Sequence, residues 1–103
     1  MTDAIVERDD SIHHYVLTLD GDEIGHINYR DDGERRVILH TKVDEEQTGH
    51  GYGTQLIVAA LDDIREQGLR VVTLCPMAAA HVTKHRDYDD IVDPPHVLEQ
   101  GRG

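Results

Sequence analysis

Large aromatic residues are scarce in this sequence, which has four tyrosines but no tryptophan and no phenylalanine. The core must therefore be built from aliphatic side chains such as Val, Ile, Leu and Ala. There is one cysteine, Cys75, which excludes an internal disulfide bond. No apolar stretch is as long as a signal peptide or a membrane-spanning helix requires, and we therefore expect a cytoplasmic protein.

Positive charge is the second scarce feature. Lys42 and Lys84 are the only lysines, and 21 acidic against 10 basic side chains give a formal net charge of -11. Such a surface repels phosphate backbones and anionic lipids, which argues against nucleic acid or a membrane as the main partner. The same acidity fits a protein that stays soluble in concentrated salt, where ions screen the repulsion.

The chain of 103 residues is long enough for one small domain, and no repeat or linker divides it. We predict a domain over residues 1–93 and a flexible tail over 94–103, where the periodicity is lost. Alternating apolar and polar residues, with a turn at Asp20-Gly21, predict antiparallel strands in the first half. The predicted strands are Ala4–Arg8, Tyr15–Leu19, Ile24–Tyr29 and Arg36–Val43.

The second half of the sequence alternates between helix and strand patterns. After Gly53, apolar residues recur three and four positions apart, and Gly68 suits the left-handed cap of an amphipathic helix. The run Leu69–Cys75 is rich in β-branched residues, which is typical of a strand covered on both faces. Pro76 suits the start of a second helix, predicted at Met77–His85. The sequence thus predicts an α/β fold with a mixed sheet and a right-handed crossover between its parallel strands.

The stretch "TGHGYG", Thr48–Gly53, has glycine at every second position just before the first helix. The first N–H groups of a helix have no intrahelical partner, and glycines let a ligand approach them closely. A phosphate group is therefore one predicted occupant of this loop. The alternative is a tight turn in which the glycines only satisfy the backbone geometry.

Two common phosphate motifs are excluded here. A P-loop needs Lys followed by Ser or Thr after the glycines, and the dinucleotide fingerprint needs a glycine where Thr54 stands. The pattern that remains resembles the acyl-coenzyme A loop of the GNAT N-acetyltransferases: Arg or Gln, two residues, Gly, one residue, then Gly or Ala. Thr48, Gly51 and Gly53 align with it. Thr48 departs from the family pattern and lacks the long side chain that braces the loop.

The resemblance is closest to the small, single-domain YjdJ-type branch of that superfamily and covers nearly the whole chain. It extends from "EIGHINYR" through "LHTKV" and "GHGYGTQLIVAALDDIREQGLRVVTLCP" to "KHRDYDDIV", and the phrase "LCP" is its most specific element. His81 and Arg86 depart from the branch, which commonly has Tyr and Pro at these positions. The resemblance implies a minimal GNAT fold without the helices that ordinary members insert between their first two strands.

The same resemblance implies a site for acetyl-coenzyme A as co-substrate. Its pantetheine arm would pair with the free backbone edge His40–Val43 between two splayed parallel strands. The residues predicted to bind the co-substrate are Thr41, Lys42, Val43, Thr48, Gly49, His50, Gly51, Tyr52, Gly53, Lys84 and His85. The residues predicted to act in catalysis are Cys75, His40 and His81, with His81 as the acid for the leaving thiolate.

Several of these assignments have alternatives. His40 is either functional or a structural strand residue, His50 either donates to a phosphate or is only exposed to solvent, and Tyr52 packs beneath the loop in the alternative reading. Cys75 is either a small buried residue, a contact for the thioester, or an acceptor of the acetyl group. His81 and His85 have the i, i+4 spacing of a metal site, but the sequence places no third ligand nearby, and we predict no metal.

The predicted function is therefore transfer of acetyl from acetyl-coenzyme A to an amine. We expect direct transfer, without a covalent intermediate on the enzyme. The sequence does not identify the acceptor. An open acceptor side would suit a small amine such as a polyamine, an exposed lysine or another accessible amine, and an acidic surface would attract such cations. One alternative is a module that binds acyl-coenzyme A without turnover, as a sensor or interaction domain. Another is a purely structural domain.

Overall fold

Five strands form one mixed sheet in the order of the chain. The computed structural model describes residues 4–47, 49 and 51–100. The first four strands pair with one another in antiparallel fashion, and the fifth strand pairs with the fourth in parallel. This arrangement confirms the predicted mixed sheet. The strands are β1 (Ile5–Asp9), β2 (His14–Leu19), β3 (Asp22–Asp32), β4 (Arg35–Val43) and β5 (Arg70–Thr73).

The turn between β2 and β3 follows from two residues. Asp20 and Gly21 have positive φ angles of 54° and 84°, the combination that a two-residue type I′ hairpin requires. Glycine adopts this conformation without steric cost, and Asp is among the few other residues that tolerate it. The predicted turn is therefore confirmed, although β3 continues three residues beyond the predicted Tyr29.

The helix α1 (Tyr52–Glu66) crosses from β4 to β5 and packs on one face of the sheet. Beyond its end Gly68 has a φ of 74°, its N–H bonds to Arg65 O, and the N–H of Leu69 bonds to Ile64 O. These two bonds form the left-handed cap that the sequence predicts. The buried residues of α1 are those of its apolar pattern: Leu56, Ile57, Ala60, Leu61 and Ile64.

The helix α2 (Pro76–Lys84) begins at the proline, as predicted, because proline needs no hydrogen-bond acceptor in the first turn. The prediction that β5 reaches Cys75 is wrong. The strand ends at Thr73, and the N–H groups of Leu74 and Cys75 both point to Ile38 O, at 2.9 and 3.2 Å. The parallel ladder therefore stops two residues early.

The chain after α2 returns to the edge of β5. Val92 forms a parallel bridge with Val71, and the Asp93 carboxylate accepts hydrogen bonds from Arg35 and Arg70 at 2.9 and 2.8 Å. These ion pairs hold the end of the domain against the start of β4 and β5.

A short helix, α3 (Val97–Gln100), lies within the segment predicted as a tail, and the sequence pattern did not indicate it. The flexibility of residues 94–103 stays a prediction. None of the helices in the described parts of the chain is long and apolar enough to cross a membrane.

The two faces of the sheet differ. Both long helices pack on the face that carries Tyr15, Leu17, Ile27 and Ile38, and together they bury the core. The alternate strand residues point to the opposite face, because successive side chains of a strand do so. Many of them are exposed or half-buried, so this part of the second face is open to solvent: Glu7, Asp9, His14, Val16, His26, Asn28, His40 and Lys42.

Candidate active site

The parallel strands β4 and β5 separate halfway along β4. They pair from Arg35 with Arg70 to Ile38 with Thr73, and beyond this point β4 continues to Val43 while the chain after β5 turns into α2. Within the described residues, the β5 side of β4 therefore has no strand partner after Ile38. A cleft opens between the end of β4 and the start of α2.

A bulge in β4 lies where the cleft begins. Asn28 of β3 faces His40 and Tyr29 faces Ile38, so Leu39 is an extra residue on β4. Such a bulge bends a strand and increases its twist. The last residues of β4 thereby turn away from the line of β5.

The hydrogen-bond pattern of β3 and β4 shows which backbone groups face the cleft. Asp44 N–H donates to Ile24 O at 2.7 Å, directly after the paired residues Gly25 and Val43. Because the bonds of an antiparallel pair alternate, the N–H and C=O groups of Val43 and Thr41 point away from β3. They line the cleft, where the Val43 N–H faces the space for a ligand and the Thr41 N–H faces the Cys75 thiol.

Cys75 lies at the floor of this cleft, where the chain passes from β5 into α2. Its side chain is 4% exposed, and its Sγ atom is 3.3 Å from Thr41 Oγ1. Burial acts to raise the pKa of the Cys75 thiol. Hydrogen bonds from the Thr41 hydroxyl and from the backbone N–H groups of Ala78, Met77 and Thr41 outweigh that effect, and the pKa is lowered.

The glycine loop lies at the other end of the cleft. Gly49 and Gly51 have φ angles of 85° and 78°, and a Cβ atom on either would meet no other atom within 4 Å. No side chain caps the N-terminus of α1 among the described residues, and no acidic residue stands in its first turn. Thr48 and His50, both predicted to bind the co-substrate, lie outside the described residues.

Gly53 brings α1, α2 and β4 close together. A Cβ atom there would lie 3.3 Å from Met77 Sδ and 3.8 Å from Val43 Cγ2. Met77 is 47% exposed, so its thioether forms part of the accessible cleft wall. The sequence analysis did not select Met77, and only its place two residues after Cys75 points to it. Tyr52, the first residue of α1, is half-buried.

The remaining predicted residues fall into two groups. His40 and Lys42 are exposed on the open face of β4, beside the cleft. His81, Lys84 and His85 lie farther along α2, and the His81 ring is 4.6 Å from that of His85 and 6.3 Å from that of Tyr88. Burial, followed by the charge of His85, lowers the pKa of His81. The structure thus brings Thr41 and Cys75 into contact and places Val43 beside Gly53, while the three α2 residues lie farther along the helix.

The mouth of the cleft is acidic. The net negative charge of the sequence indicates an acidic surface, but no sequence motif predicted that acidic residues would cluster here. A cavity of about 410 Å³ is lined by the end of β4 and the loop that follows it. Its charged lining residues are Lys42, Asp44, Glu45 and Glu46.

Comparisons with known proteins agree on one family. Residues 14–91 match the model of the family described as GCN5-related N-acetyl-transferase. Among curated proteins, none matches the chain. A GCN5-like protein of Staphylococcus aureus, with a solution structure determined by NMR, matches over 87% of this chain and 88% of its own, with a TM-score of 0.68 and 24% identity. This likeness concerns the fold.

Two further solved structures share more identity over a shorter region. YhbS of Escherichia coli, a GNAT family N-acetyltransferase solved in complex with CoA, is 32% identical over 59% of this chain and 38% of its own, with a TM-score of 0.54. Ard1 from Thermoplasma volcanium is 31% identical over 57% of this chain and 41% of its own, with a TM-score of 0.53.

Proposed function

The chain belongs to the GCN5-related N-acetyltransferase family, and from this premise we propose that it transfers acetyl from acetyl-coenzyme A to an amine. The observation that carries the proposal is the cleft between β4 and α2, with the backbone of Thr41 and Val43 facing it and Cys75 at its floor. Our finer assignment to the YjdJ-type branch rests on the phrase "LCP" and the short connection between β1 and β2.

The residues around the cleft fit a pantetheine chain that ends in phosphates. The free N–H and C=O groups of β4 can pair with the amides of the pantetheine arm, as another strand would. The uncapped N-terminus of α1, behind Gly49 and Gly51, offers donors for the pyrophosphate. The carboxylates at the mouth of the cleft repel the negatively charged phosphates, and the hydrogen bonds from the backbone donors must outweigh this repulsion.

Acetyl-coenzyme A supplies an activated acetyl group, and the residues of the cleft position it. The N–H group of Val43 is the donor that would polarise the carbonyl oxygen. A neutral amine enters from the open face beside His40, which orients it. The C–N bond forms as the C–S bond breaks, and the proton released by the amine leaves on the coenzyme A thiol.

We assign Cys75 a role in shaping the site for direct transfer. It is nine-tenths buried, and its partner is Thr41. A base that would make it a nucleophile has no contact with it among the described residues. His81 is our candidate acid for the departing sulfur. Burial lowers its pKa, so it must first take up a proton, such as the one that the amine releases.

The experiment is steady-state release of coenzyme A from acetyl-coenzyme A with a panel of amines, together with calorimetric titration of coenzyme A. Amine-dependent release supports the enzyme. Binding without release for any amine would favour the acyl-coenzyme A sensor module instead. Absence of both signals would leave only a structural domain and overturn the proposal.

A further inference from the structure

The open face of the sheet has a regular pattern of charge. Its side chains lie in two rows across β1 to β4, and the members of each row face one another in register. The first row is Glu7, Val16, His26 and Lys42. The second row is Asp9, His14, Asn28 and His40. In both rows a carboxylate stands on β1 and a basic side chain stands on β4.

The burial of these eight residues follows the plan of a protein interface. The four residues on β2 and β3 are half-buried, while the four on β1 and β4 are exposed. Interfaces likewise have few charges at the centre and charged residues at the rim. With histidines neutral, the two carboxylates and one ammonium group of the face give a net charge of -1, whereas the whole chain has -11. The eight residues therefore contribute little to the repulsion between two copies.

The side chains at the rim of this face are available for new contacts. Neither Glu7 nor Lys42 has a hydrogen bond or ion pair with any residue that the structure describes. Asp9 accepts two hydrogen bonds from Ser11, both through Oδ1, which leaves Oδ2 accessible. His40 is exposed and has no hydrogen bond within the described ranges. The rim thus offers acidic groups on one side and basic groups on the other.

The centre of the face is flat and nearly uncharged. The rings of His14 and His26 stack with centroids 4.7 Å apart. Burial, followed by the charge of His14, lowers the pKa of His26, so this imidazole is uncharged at neutral pH although Glu23 lies 3.7 Å away. Asn28 Oδ1 is buried and has no hydrogen-bond partner among the described residues. A buried acceptor without a donor costs free energy, which an N–H group from a second molecule would recover.

We propose that the open face is the interface of a homodimer, occupied by a second copy of this chain. A two-fold axis parallel to the strands, midway between β2 and β3, places β1 of one copy over β4 of the other and β2 over β3. The same patch of both copies then meets itself, as in an isologous interface. Sheets packed in this way lie about 10 Å apart with their strands nearly aligned. This inference goes beyond acetyl transfer and does not depend on it.

Charge selects this axis. It sets each row opposite the same row of the second copy in reversed order, so Glu7 faces Lys42 of the second copy and Asp9 faces its His40. Each such pair occurs twice, because the two copies are equivalent. A two-fold axis perpendicular to the strands would instead place β1 over β1 and bring Glu7 to Asp9 of the second copy. Like charges directly opposite each other are destabilising, which disfavours that arrangement.

The same axis supplies the missing donor at the centre. His14 faces Asn28 of the second copy, where an imidazole N–H can donate to Oδ1. Val16 faces the uncharged ring of His26 of the second copy, which places an apolar side chain on a flat ring. The one buried side-chain atom without a partner in the described residues would therefore be satisfied, and this observation is independent of the charges at the rim.

The size of the face sets the strength of the dimer. Four strands about 4.8 Å apart, each contributing about six residues with a rise of about 3.3 Å, give roughly 400 Å² per copy. This is about half of the area that each partner buries in a standard interface, so we expect a weak dimer with a Kd on the order of 0.1 mM. Lys42 also lines the cavity at the cleft mouth, so β1 of the second copy borders the entrance to each cleft.

The test exchanges the charges at the rim. Sedimentation equilibrium over concentrations around the expected Kd should reveal a dimer. Glu7→Lys and Lys42→Glu should each raise the Kd about tenfold, because two equivalent contacts change from attraction to repulsion. The double variant, in which both charges are exchanged, should restore the affinity of the unmodified protein. Glu66→Lys is the control: it changes the net charge as Glu7→Lys does, but at the end of α1, and should not weaken the dimer.

A second measurement tests the centre of the face. In a mixture of isotope-labelled and unlabelled protein, a filtered NOE should join the His14 ring of one copy to the Asn28 amide of the other. A protein that remains monomeric about tenfold above the expected Kd would overturn the proposal. So would a dimer that Lys42→Glu does not weaken, because pairing through the free edge of β1 involves Glu7 but not Lys42. A folded double variant that fails to recover the dimer would also overturn it.

Discussion

The Cys75 Sγ atom lies 3.3 Å from Thr41 Oγ1, and this contact joins β4 to the start of α2 beyond the last paired residues of β4 and β5. Both side chains are buried, at 4% and 7% exposure. The cleft is therefore closed at its floor by a polar contact rather than by strand pairing. The thiol at this floor has three further backbone donors, which makes its protonation sensitive to its neighbours.

The first prediction is that Thr41→Val raises the pKa of the Cys75 thiol. Valine has nearly the shape of threonine but removes the hydroxyl that stabilises the thiolate, while burial continues to disfavour the charge. The rate of thiol alkylation, measured against pH, should shift to higher pH. Thr83→Val is the control, because that hydroxyl bonds to Ala79 O on α2. An unshifted profile for Thr41→Val would show that the hydroxyl does not stabilise the thiolate.

The second prediction separates direct from covalent transfer. Cys75→Ala should lower the turnover rate by less than about tenfold, because in direct transfer the thiol only shapes the site. Intact-protein mass after mixing with acetyl-coenzyme A should reveal no acetyl adduct in the unmodified protein. Cys75→Ser, which keeps the size and a hydroxyl, is the matched variant. An adduct that forms and discharges with added amine as fast as turnover would establish the covalent route instead.

The third prediction concerns the loop. Gly51→Val should raise the Kd for coenzyme A by at least about tenfold, since the side chain would project into the open space where the phosphates approach. A positive φ strains any valine by about 1 kcal/mol, so the control must carry the same strain. Gly21→Val does, with a φ of 84° and equally open surroundings in the β2–β3 turn. Equal affinities in the two folded variants would exclude the loop from the binding site.

Much of this fold was predictable because local patterns and tertiary packing agree. The apolar positions of α1, the cap at Gly68 and the start of α2 at Pro76 each follow from a short stretch of sequence. The end of β5 was not predictable. The sequence at Leu74 and Cys75 is typical of a strand. In the structure the bulge at Leu39 bends β4, and the N–H groups of Leu74 and Cys75 both bond to the carbonyl oxygen of Ile38.

The sequence indicated the parts of the candidate site that contain the loop glycines and Cys75. It did not indicate the contacts that join separate strands of the sheet. The contact of Thr41 with Cys75 depends on a register that no short motif encodes. The strand registers also align Asp9, His14, Asn28 and His40 across the sheet, although none of these residues belongs to a sequence motif. Such sets emerge only when the strand pairs are known, because pairing between distant segments determines them.

The last prediction concerns salt. Coenzyme A carries several negative phosphate charges, the chain carries a formal charge of -11, and Asp44 and Glu46 line the cavity at the cleft mouth. The two repel each other over a screening length of about 30 Å at 0.01 M salt but only about 3 Å at 1 M. We therefore expect the calorimetric Kd for coenzyme A to fall as salt rises, the reverse of ordinary phosphate binding. Pantetheine, which lacks the phosphates, is the control, since its response reports only the effect of salt on apolar contacts. A Kd for coenzyme A that rises with salt would show that local donors at α1 and the two lysines outweigh the overall charge.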